Sequence, residues 1–401
     1  MATTSHTPAN PTRRWVFAVT VAAALAVAVT ACSSSSTPAT SPGTATSASP
    51  GTGAAELQPI IDKTYAGDFG VVPATGPKAV TGKKVWFISC GQLFVGCATM
   101  ATNFKQAGDA LGWQVTVQDS KADPSQATAL LRQAIAAHID GVGVTGFDCP
   151  GIRSALLEAQ AAKMPVLNFA ASDCSDPAFG GGEKGLFTAS VKLRGSDRTI
   201  DFFNAVSRAR AEYVVAKAGQ KAVILSLAEQ SHADQKALGK AFDDEVAKIC
   251  ATCQVVPVKF TFAQVPSPAT QIWQTAIQTH ANATVLTTSL DSLMPVGLQT
   301  AIKQGGRPNL LVGGGEGNPA NFDLIRSGNE TFSVAVAYSW IMWGLADSMN
   351  RVFAGEDPKS LPDEGAGWQY VDATHNLPAS GAYYEPSVDF RTAYKKVWSG
   401  Q

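Results

Sequence analysis

The stretch PVLNFAASDC, at residues 165–174, begins with apolar residues and ends with polar ones. Its apolar start predicts a buried strand, which Asn168, Ser172 and Asp173 terminate. An amide, a hydroxyl and a carboxylate at a strand end can hydrogen-bond a polar ligand. Ser172 and Asp173 can equally cap the turn that follows the strand. The stretch alone favours neither interpretation.

The N-terminal residues predict export. Arg13 and Arg14 precede an apolar run from Trp15 to Val29, and small residues lead to Cys32. A basic start, a short apolar segment and small residues are typical of a secretory signal, here residues 1–31. The sequence VTAC resembles a bacterial lipobox, which predicts lipidation of Cys32. A transmembrane anchor is the alternative, but the run is shorter than the ~20 residues that span a bilayer. The Arg pair matches a twin-arginine export signal only in part, so the export route stays open.

The segment that follows predicts a tether. Residues 32–55 are mainly Ser, Thr, Pro, Ala and Gly, and such a composition cannot bury enough apolar surface to offset the entropy of ordering. We therefore expect the protein outside the cytoplasmic membrane, with a lipid anchor and a disordered leash.

Beyond Cys32, six cysteines remain, and an even number in an exported protein predicts disulfides: Cys90, Cys97, Cys149, Cys174, Cys250 and Cys253. Short loops favour the pairs Cys90–Cys97 and Cys250–Cys253, whereas Cys149 and Cys174 each follow a predicted strand and can meet at one sheet edge. The connectivity stays open at this point. A redox role for residues 250–253 would need a thioredoxin-like context, which the flanking sequence lacks, and exported thiols rarely hold zinc.

Composition and motifs exclude several classes of function. The formal net charge is -1, whereas a nucleic-acid-binding protein normally carries a basic surface. We find no Gly-x-Ser-x-Gly elbow, no phosphate loop and no metal-spaced cluster among the 5 histidines. Gly180 to Gly185 are glycine-rich without the required pattern. The sequence therefore predicts no enzyme, no cofactor and no metal site.

Beyond the tether, predicted strands alternate with predicted helices. This order is typical of βαβ units with parallel sheets, an α/β fold. The predicted strands are 85–88, 113–117, 141–144, 166–169, 222–227, 255–260, 284–288 and 309–313, and the helices are 98–111, 124–137, 151–162, 197–217, 234–249, 269–279 and 293–304. One sheet ends near Val191 and a second fills residues 195 to about 335. We expect two Rossmann-like lobes, with ligand bound beyond the carboxyl ends of the strands.

The order of these segments over residues 83–398 resembles the type I periplasmic binding proteins of the ribose-binding, sugar-transport branch. No single motif is diagnostic; the resemblance lies in the order and spacing of several segments. These are KKVWFISCGQLFVGCATMATNFKQAGDALGWQV, QATALLRQAIAAHIDGVGVTGFDCPGIRSALLEAQAAKMPVLNF, ATVLTTSLDSLMPVGLQTAIKQGGRPNLLVGGGEGNP, FSVAVAYSWIMWGLADSMNRVFAGEDP and FRTAYKKVW.

The resemblance implies two lobes that close on a small solute around a multi-strand hinge. It implies an N-terminal lobe of residues 56–191 plus 339–371, a C-terminal lobe of residues 192–338, and a final hinge crossing and helix at 372–401. The crossings would lie near Val191, Tyr338 and Val371-Asp372.

Individual ligand contacts follow from the same resemblance. Aromatic faces suit the CH face of a sugar ring, and polar side chains suit its hydroxyls. The positions implied are Gln92, Phe94, Thr145, Asp291, Glu316 and Tyr338, to which the strand end adds Asn168 and Asp173. For Phe94 the alternative is a core residue, and for Glu316 an exposed loop acid; Trp340 can wall the cleft in place of Tyr338, and Trp343 fits the helix core.

Two departures put the usual sugar clamp in doubt. Many family members carry Asp-Arg after the fourth strand, where this chain has Ala170-Ala171, whose methyl groups offer no hydrogen bonds. Asn168, Ser172 or Asp173 can replace part of that clamp. The basic residue expected at the start of the Asp234 helix is also missing, and Gln235 or Lys236 is nearest.

The resemblance implies a solute-binding lipoprotein that captures a sugar-like solute and delivers it to an ABC permease. The alternative is a sensor that presents the solute to a membrane receptor or kinase. A regulator of the lac-repressor type shares this fold but needs a helix-turn-helix where this chain has an export signal.

Overall fold

The computed structural model describes residues 54–401, so the predicted signal, Cys32 and most of the tether lie outside the described residues. The first helix, α1, spans Ala54–Ala66. It is followed by β1 Lys84–Ser89, α2 Val95–Ala110, β2 Gln114–Asp119, α3 Pro124–Ala136, β3 Gly141–Thr145, α4 Cys149–Ala161, β4 Val166–Phe169 and β5 Ala189–Ser190.

The second run of elements begins with a long helix. Its members are α5 Thr199–Ala218, β6 Val223–Glu229, α6 Ala233–Ile249, β7 Gln254–Phe260, α7 Ala269–Thr279, β8 Val285–Thr288, α8 Gln299–Gly305, β9 Leu311–Glu316, α9 Pro319–Arg326 and β10 Phe332–Val336. The chain ends with α10 Tyr338–Phe353, β11 Trp368–Asp372 and α11 Phe390–Ser399.

Two sheets organise these elements, as the alternation predicts. The first has the order β2-β1-β3-β4-β5 and is parallel throughout. The second has the order β11-β10-β9-β8-β6-β7, parallel except for the antiparallel pair β10–β11. Strands β3 and β4 are buried along their whole length, as parallel strands with helices on both faces must be. The predicted α/β class with two parallel sheets is confirmed.

Several connections link the two sheets. The chain leaves the first sheet after Ser190 and the second after Val336, and α10 then packs on α2. After Asp372 it leads to α11, which packs on α10: Trp398 donates a hydrogen bond to Asp347, 2.6 Å away.

The two ends of the chain differ from the predicted division into lobes. Strand β11 pairs with β10, with Trp368 opposite Val336, so it belongs to the second sheet and not to the returning segment 339–371. Helix α1 packs on α5 and β11 and not on the first sheet. Tyr65, near the end of α1, explains this position: its ring packs on Tyr213 and Tyr370, and its hydroxyl donates to Asp372.

The predicted helix 293–304 is interrupted. A 3-10 turn at Asp291–Leu293 and a wider π turn at Met294–Leu298 precede α8. Pro295 lacks the amide N–H that an α-helix needs, and Gly297 takes a φ of 137°. Of the helices in residues 54–401, none is both long and apolar enough to cross a membrane.

Candidate ligand-binding cleft

A cavity of about 150 Å³ lies between the carboxyl ends of the two sheets. That volume is close to that of an engineered cavity that holds one benzene molecule. Both lobes contribute to a mainly apolar wall. The first provides Cys90, Phe94, Cys97, Met100, Ala122, Gly146, Phe147, Asp148 and Ala170; the second provides Phe203, Val206, Ser207, Arg210, His232, Asp234, Gln235, Leu238, Phe262, Ser289, Leu290, Ser292, Gly315, Glu316, Val336 and Tyr338.

Aromatic rings from opposite lobes meet over the cavity. Phe94, between β1 and α2, packs edge to face on Phe262, with 5.8 Å between the ring centroids. The Cys90–Cys97 disulfide closes the short loop that carries Phe94. Phe262 also packs on His232, at 5.1 Å. These rings provide flat apolar surfaces of the kind that stack on a ring-shaped solute.

A second contact joins the lobes at the start of α6. Asp148 accepts a hydrogen bond from the Ser172 amide N–H at 2.9 Å within the first lobe. Its other oxygen lies 3.4 Å from the Ala233 amide nitrogen in the second lobe. The carboxylate thus faces the positive end of the α6 dipole, which favours its charge.

The polar groups around α6 influence one another. Burial and the neighbouring Asp148 raise the pKa of Asp234 to about 6, and His232 opposes that shift. Burial disfavours the charged imidazole of His232, but the hydrogen bond to Glu229 prevails and raises its pKa. The raised pKa favours a positive charge on His232, close to Asp148 and Asp234. This is the region where the family resemblance implies a basic side chain.

Glu316 lies at the carboxyl end of β9 and forms a buried pair with Asp291. Burial raises the pKa of Glu316, and the charge of Asp291 raises it further. Burial also raises the pKa of Asp291, but hydrogen bonds from Ser333, the Gly317 amide and Asn318, at 2.6, 3.1 and 3.0 Å, favour its charged form and oppose that rise. Glu316 is thus the protonated partner, and its proton is held in the hydrogen bond to Asp291.

The backbone is strained at two positions of the cavity wall. Ala170 has a φ of 54° and Glu316 a φ of 141°, values that favour glycine. Ala170 directly follows β4 and Glu316 is the last residue of β9, so both lie where the chain turns away from its sheet. Such conformations cluster at binding sites, because the surrounding structure must hold them.

Arg210 is a cleft residue that sequence reasoning missed. It lies on the face of α5 that borders the cavity, together with Phe203, Val206 and Ser207. The spacing of these residues is helical, so a charge on an otherwise apolar helix face was the available signal.

Comparison with known proteins agrees with this architecture. The family model described as "Periplasmic binding protein domain" matches residues 96–357, more than half of the chain. The chain belongs to this family. No curated protein matches the sequence.

Solved structures share the fold at low sequence identity. A solute-binding protein of an ABC transporter from Mycobacterium smegmatis, with bound glycerol, is 16% identical, with a TM-score of 0.61 over 76% of this chain and 100% of that one. A glucose-galactose binding protein from Geobacillus stearothermophilus is 15% identical, with a TM-score of 0.61 over 74% and 99%. An ABC transporter solute-binding protein from Agrobacterium vitis, with bound allitol, is 13% identical, with a TM-score of 0.60 over 74% and 97%.

Within this family fold, four of the predicted contacts border the cavity: Phe94, Gln235, Glu316 and Tyr338. Gln235 accepts a hydrogen bond from Ser289 at 2.7 Å, which orients its amide. Burial raises the pKa of Tyr338, so its phenol stays protonated. Trp340 and Trp343 are instead buried. Trp340 stacks on Phe390, and Trp343 packs edge to face against the same ring.

The other predicted contacts do not border the cavity. The exposed Gln92 donates to Ser89 at 2.6 Å, and Asp291 is fully buried behind Glu316. Thr145 is also fully buried, and its hydroxyl has no hydrogen-bond partner among the described residues. Asn168 donates to the Ala171 carbonyl at 2.9 Å and accepts from Ser190. Asp173 does not border the cavity either, so none of these five predicted contacts belongs to its wall.

Asp173 stabilises the turn after β4. One of its oxygens accepts from the Cys174 and Leu186 amides at 2.7 and 2.8 Å. The Cys149–Cys174 disulfide ties this turn to the start of α4, and Cys250–Cys253 closes the loop after α6. In the stretch 165–174, Ala170 thus contributes to the cavity wall, while the side chains of Asn168 and Asp173 bind the backbone.

Proposed function

We propose that the chain is an extracytoplasmic solute-binding lipoprotein, which captures a sugar or a sugar-like polar solute and delivers it to an ABC importer. The observation that carries this proposal is the cavity between the two sheets, whose wall comes from both lobes. A site with walls on two lobes couples binding to closure, because a solute that contacts both lobes stabilises the closed form.

The chemistry of the wall supports a small, partly hydroxylated solute. Phe94 and Phe262 offer apolar rings, while Gln235, Asp234 and protonated Glu316 offer donors and acceptors for hydroxyl groups. Ala170 offers only a methyl group, which favours a solute with fewer hydroxyls than a typical hexose. Solved structures with this fold hold polyols, namely allitol and glycerol.

The anchor and the partner complete the proposal. Lipidated Cys32 holds the protein at the outer face of the membrane, residues 33–53 act as the leash, and an ABC permease receives the solute. We further propose that the lobes move about the crossings after Ser190, Val336 and Asp372. Replacement of Cys32 by Ala should release the protein from the membrane fraction; retention of the variant there would contradict the lipid anchor.

A thermal-shift screen tests the function. The full chain in detergent is heated with sugars, polyols, nucleosides and amino acids, one at a time. A solute that binds only the folded state raises the melting temperature by mass action, so even weak ligands register. We expect shifts from sugars or polyols; a complete absence of shifts would contradict the proposal. The sensor role stays a prediction, which a neighbouring gene for a permease or a histidine kinase would decide.

A further inference from the structure

Arg210 borders the cavity, and its guanidinium group forms no ion pair among residues 54–401. The residue is 2% exposed, and its Nε and Nη1 atoms have no hydrogen-bond partner among residues 54–401. Its central carbon lies 4.7 Å from the centre of the Phe242 ring. A ring face attracts a cation but does not replace the oxygen acceptors that buried N–H groups need.

The second deeply buried arginine of the described chain, Arg351, has oxygen acceptors around it. Arg351 donates to Asp347 and to the Thr75 carbonyl, both at 2.6 Å, and to Glu356 at 3.3 Å. It lies in the core beside α11, away from the cavity. The protein therefore pairs a structural buried arginine fully and leaves Arg210, at the cavity, unpaired.

The charge of Arg210 persists despite its burial. Burial lowers its pKa to about 9, and the negative charge of Asp243 opposes that shift. The side chain thus remains protonated at neutral pH. Asp243 forms no ion pair with it in the described chain, and one carboxylate oxygen of Asp243 is itself buried without a partner. An uncompensated buried charge is costly, and an anion in the cavity would compensate it.

We propose that the solute of this cleft carries a carboxylate and that Arg210 binds it. The ligand class is then a sugar acid or a similar small hydroxylated carboxylate. This inference rests on the proposed function, because it names the solute of the same site.

The remaining wall favours a carboxylate over a phosphate ester. The planar guanidinium matches two carboxylate oxygens with two parallel N–H donors. Arg210 is the only arginine or lysine among the wall residues, where His232 has a raised pKa and Asp148 and Asp234 add negative charge that repels a dianion. Gln235 and Glu316 can bind the hydroxyls of the solute, and the phenylalanine rings can cover its apolar face.

Matched pairs of solutes test the inference. Isothermal titration of the full chain in detergent compares two acids with neutral counterparts: glucuronate with glucose, and galactonate with galactitol. A third comparison, of glucose 6-phosphate with glucuronate, sets a phosphate ester against a carboxylate. We expect each acid to bind at least about tenfold more tightly than its neutral counterpart, since a charge-assisted pair is roughly twice as strong as a neutral hydrogen bond. Tighter binding of the phosphate ester would overturn the assignment of a carboxylate.

Arg210→Gln should abolish the preference for acids and leave the affinity for neutral solutes within about twofold. The control is Arg208→Gln, which removes the same charge from an exposed position of α5. The melting temperature without solute separates a structural role. Arg210→Gln should maintain or raise it, because an unpaired buried charge is removed. A lower melting temperature with an unchanged preference would make Arg210 a structural residue paired with Asp243, and overturn the inference.

The two proposals fail in different ways. If neutral sugars bind and acids bind no more tightly, the inference falls while the proposed function stands. If neither acids nor neutral solutes bind, the proposed function fails and the inference fails with it.

Discussion

Phe94 and Phe262 meet edge to face across the cleft, with their ring planes at 62°. Phe94 follows β1 of the first sheet, and Phe262 follows β7, an edge strand of the second sheet. Because they come from different lobes, we expect this contact to break if the lobes open as proposed. The pair therefore links the wall of the cavity to the relative position of the two lobes.

Phe94→Ala should weaken solute binding about tenfold and leave the melting temperature of the free protein nearly unchanged. The variant loses both the contact with Phe262 and a surface for the solute, and an aromatic pair alone contributes about 0.5–1.5 kcal/mol. Calorimetry with the best solute of the thermal-shift screen measures the loss. Leu93→Ala is the control, because Leu93 lies in the same loop, is 76% exposed and does not border the cavity. Equal affinities for both variants would remove Phe94 from the site.

Gly96→Ala should hinder closure. A Cβ atom at Gly96, on α2, would lie 3.0 Å from the Glu316 carboxyl oxygen of the opposite lobe, which is closer than most Cβ contacts. We expect about tenfold weaker binding, mainly through faster dissociation, measured by stopped-flow fluorescence.

Gly239→Ala is the control for Gly96→Ala. Gly239 lies within α6 and has no atom within 4 Å of an added Cβ, so an alanine there should bind solute normally. Normal dissociation in Gly96→Ala would mean that the two lobes separate enough to accept the methyl group without loss.

Glu316→Gln should change the pH dependence of stability. Burial and Asp291 raise the pKa of Glu316, so the folded state holds this proton more tightly than the unfolded chain. The contribution is fully present below the ordinary glutamate pKa of about 4.3 and is lost as the pH rises through the raised value. We therefore expect the wild-type melting temperature to fall with rising pH more steeply than that of the glutamine variant. Parallel curves would show that Glu316 titrates normally.

Removal of the Cys149–Cys174 disulfide, by serine at both positions, should lower the free energy of unfolding by about 3 kcal/mol. The bond links residues 25 apart, and longer loops restrict the unfolded chain more. The corresponding change at Cys250–Cys253, which are 3 apart, should cost less. Urea unfolding of both double variants measures the difference. An equal loss would contradict the loop-length argument.

Much of the fold follows from periodicity in the sequence. Runs such as residues 166–169 are uniformly apolar, as strands buried on both faces must be, and the helices between them have one apolar face. The ends of the chain were less predictable, since β11 and α1 pack on the second sheet. Their place depends on contacts such as Tyr65 with Asp372, between residues far apart in sequence.

The cleft was predictable in outline and less so in detail. Phe94, Gln235, Glu316 and Tyr338 border the cavity, and family resemblance pointed to each of them. Arg210 was not predicted, because a position in the middle of a helix gives no motif.

The sequence by itself determined two parallel sheets with a site at their carboxyl ends, because alternating strands and helices allow few other arrangements. Only the tertiary structure decided which polar side chains border the cavity. Asp173 and Asp234 are the same residue type near comparable strand ends. Asp173 accepts hydrogen bonds from the backbone amides of Cys174 and Leu186, whereas Asp234 accepts one from the backbone amide of Gln235 and lies at the cavity. The deciding factor is the position of backbone donors in space, which depends on how the whole chain packs.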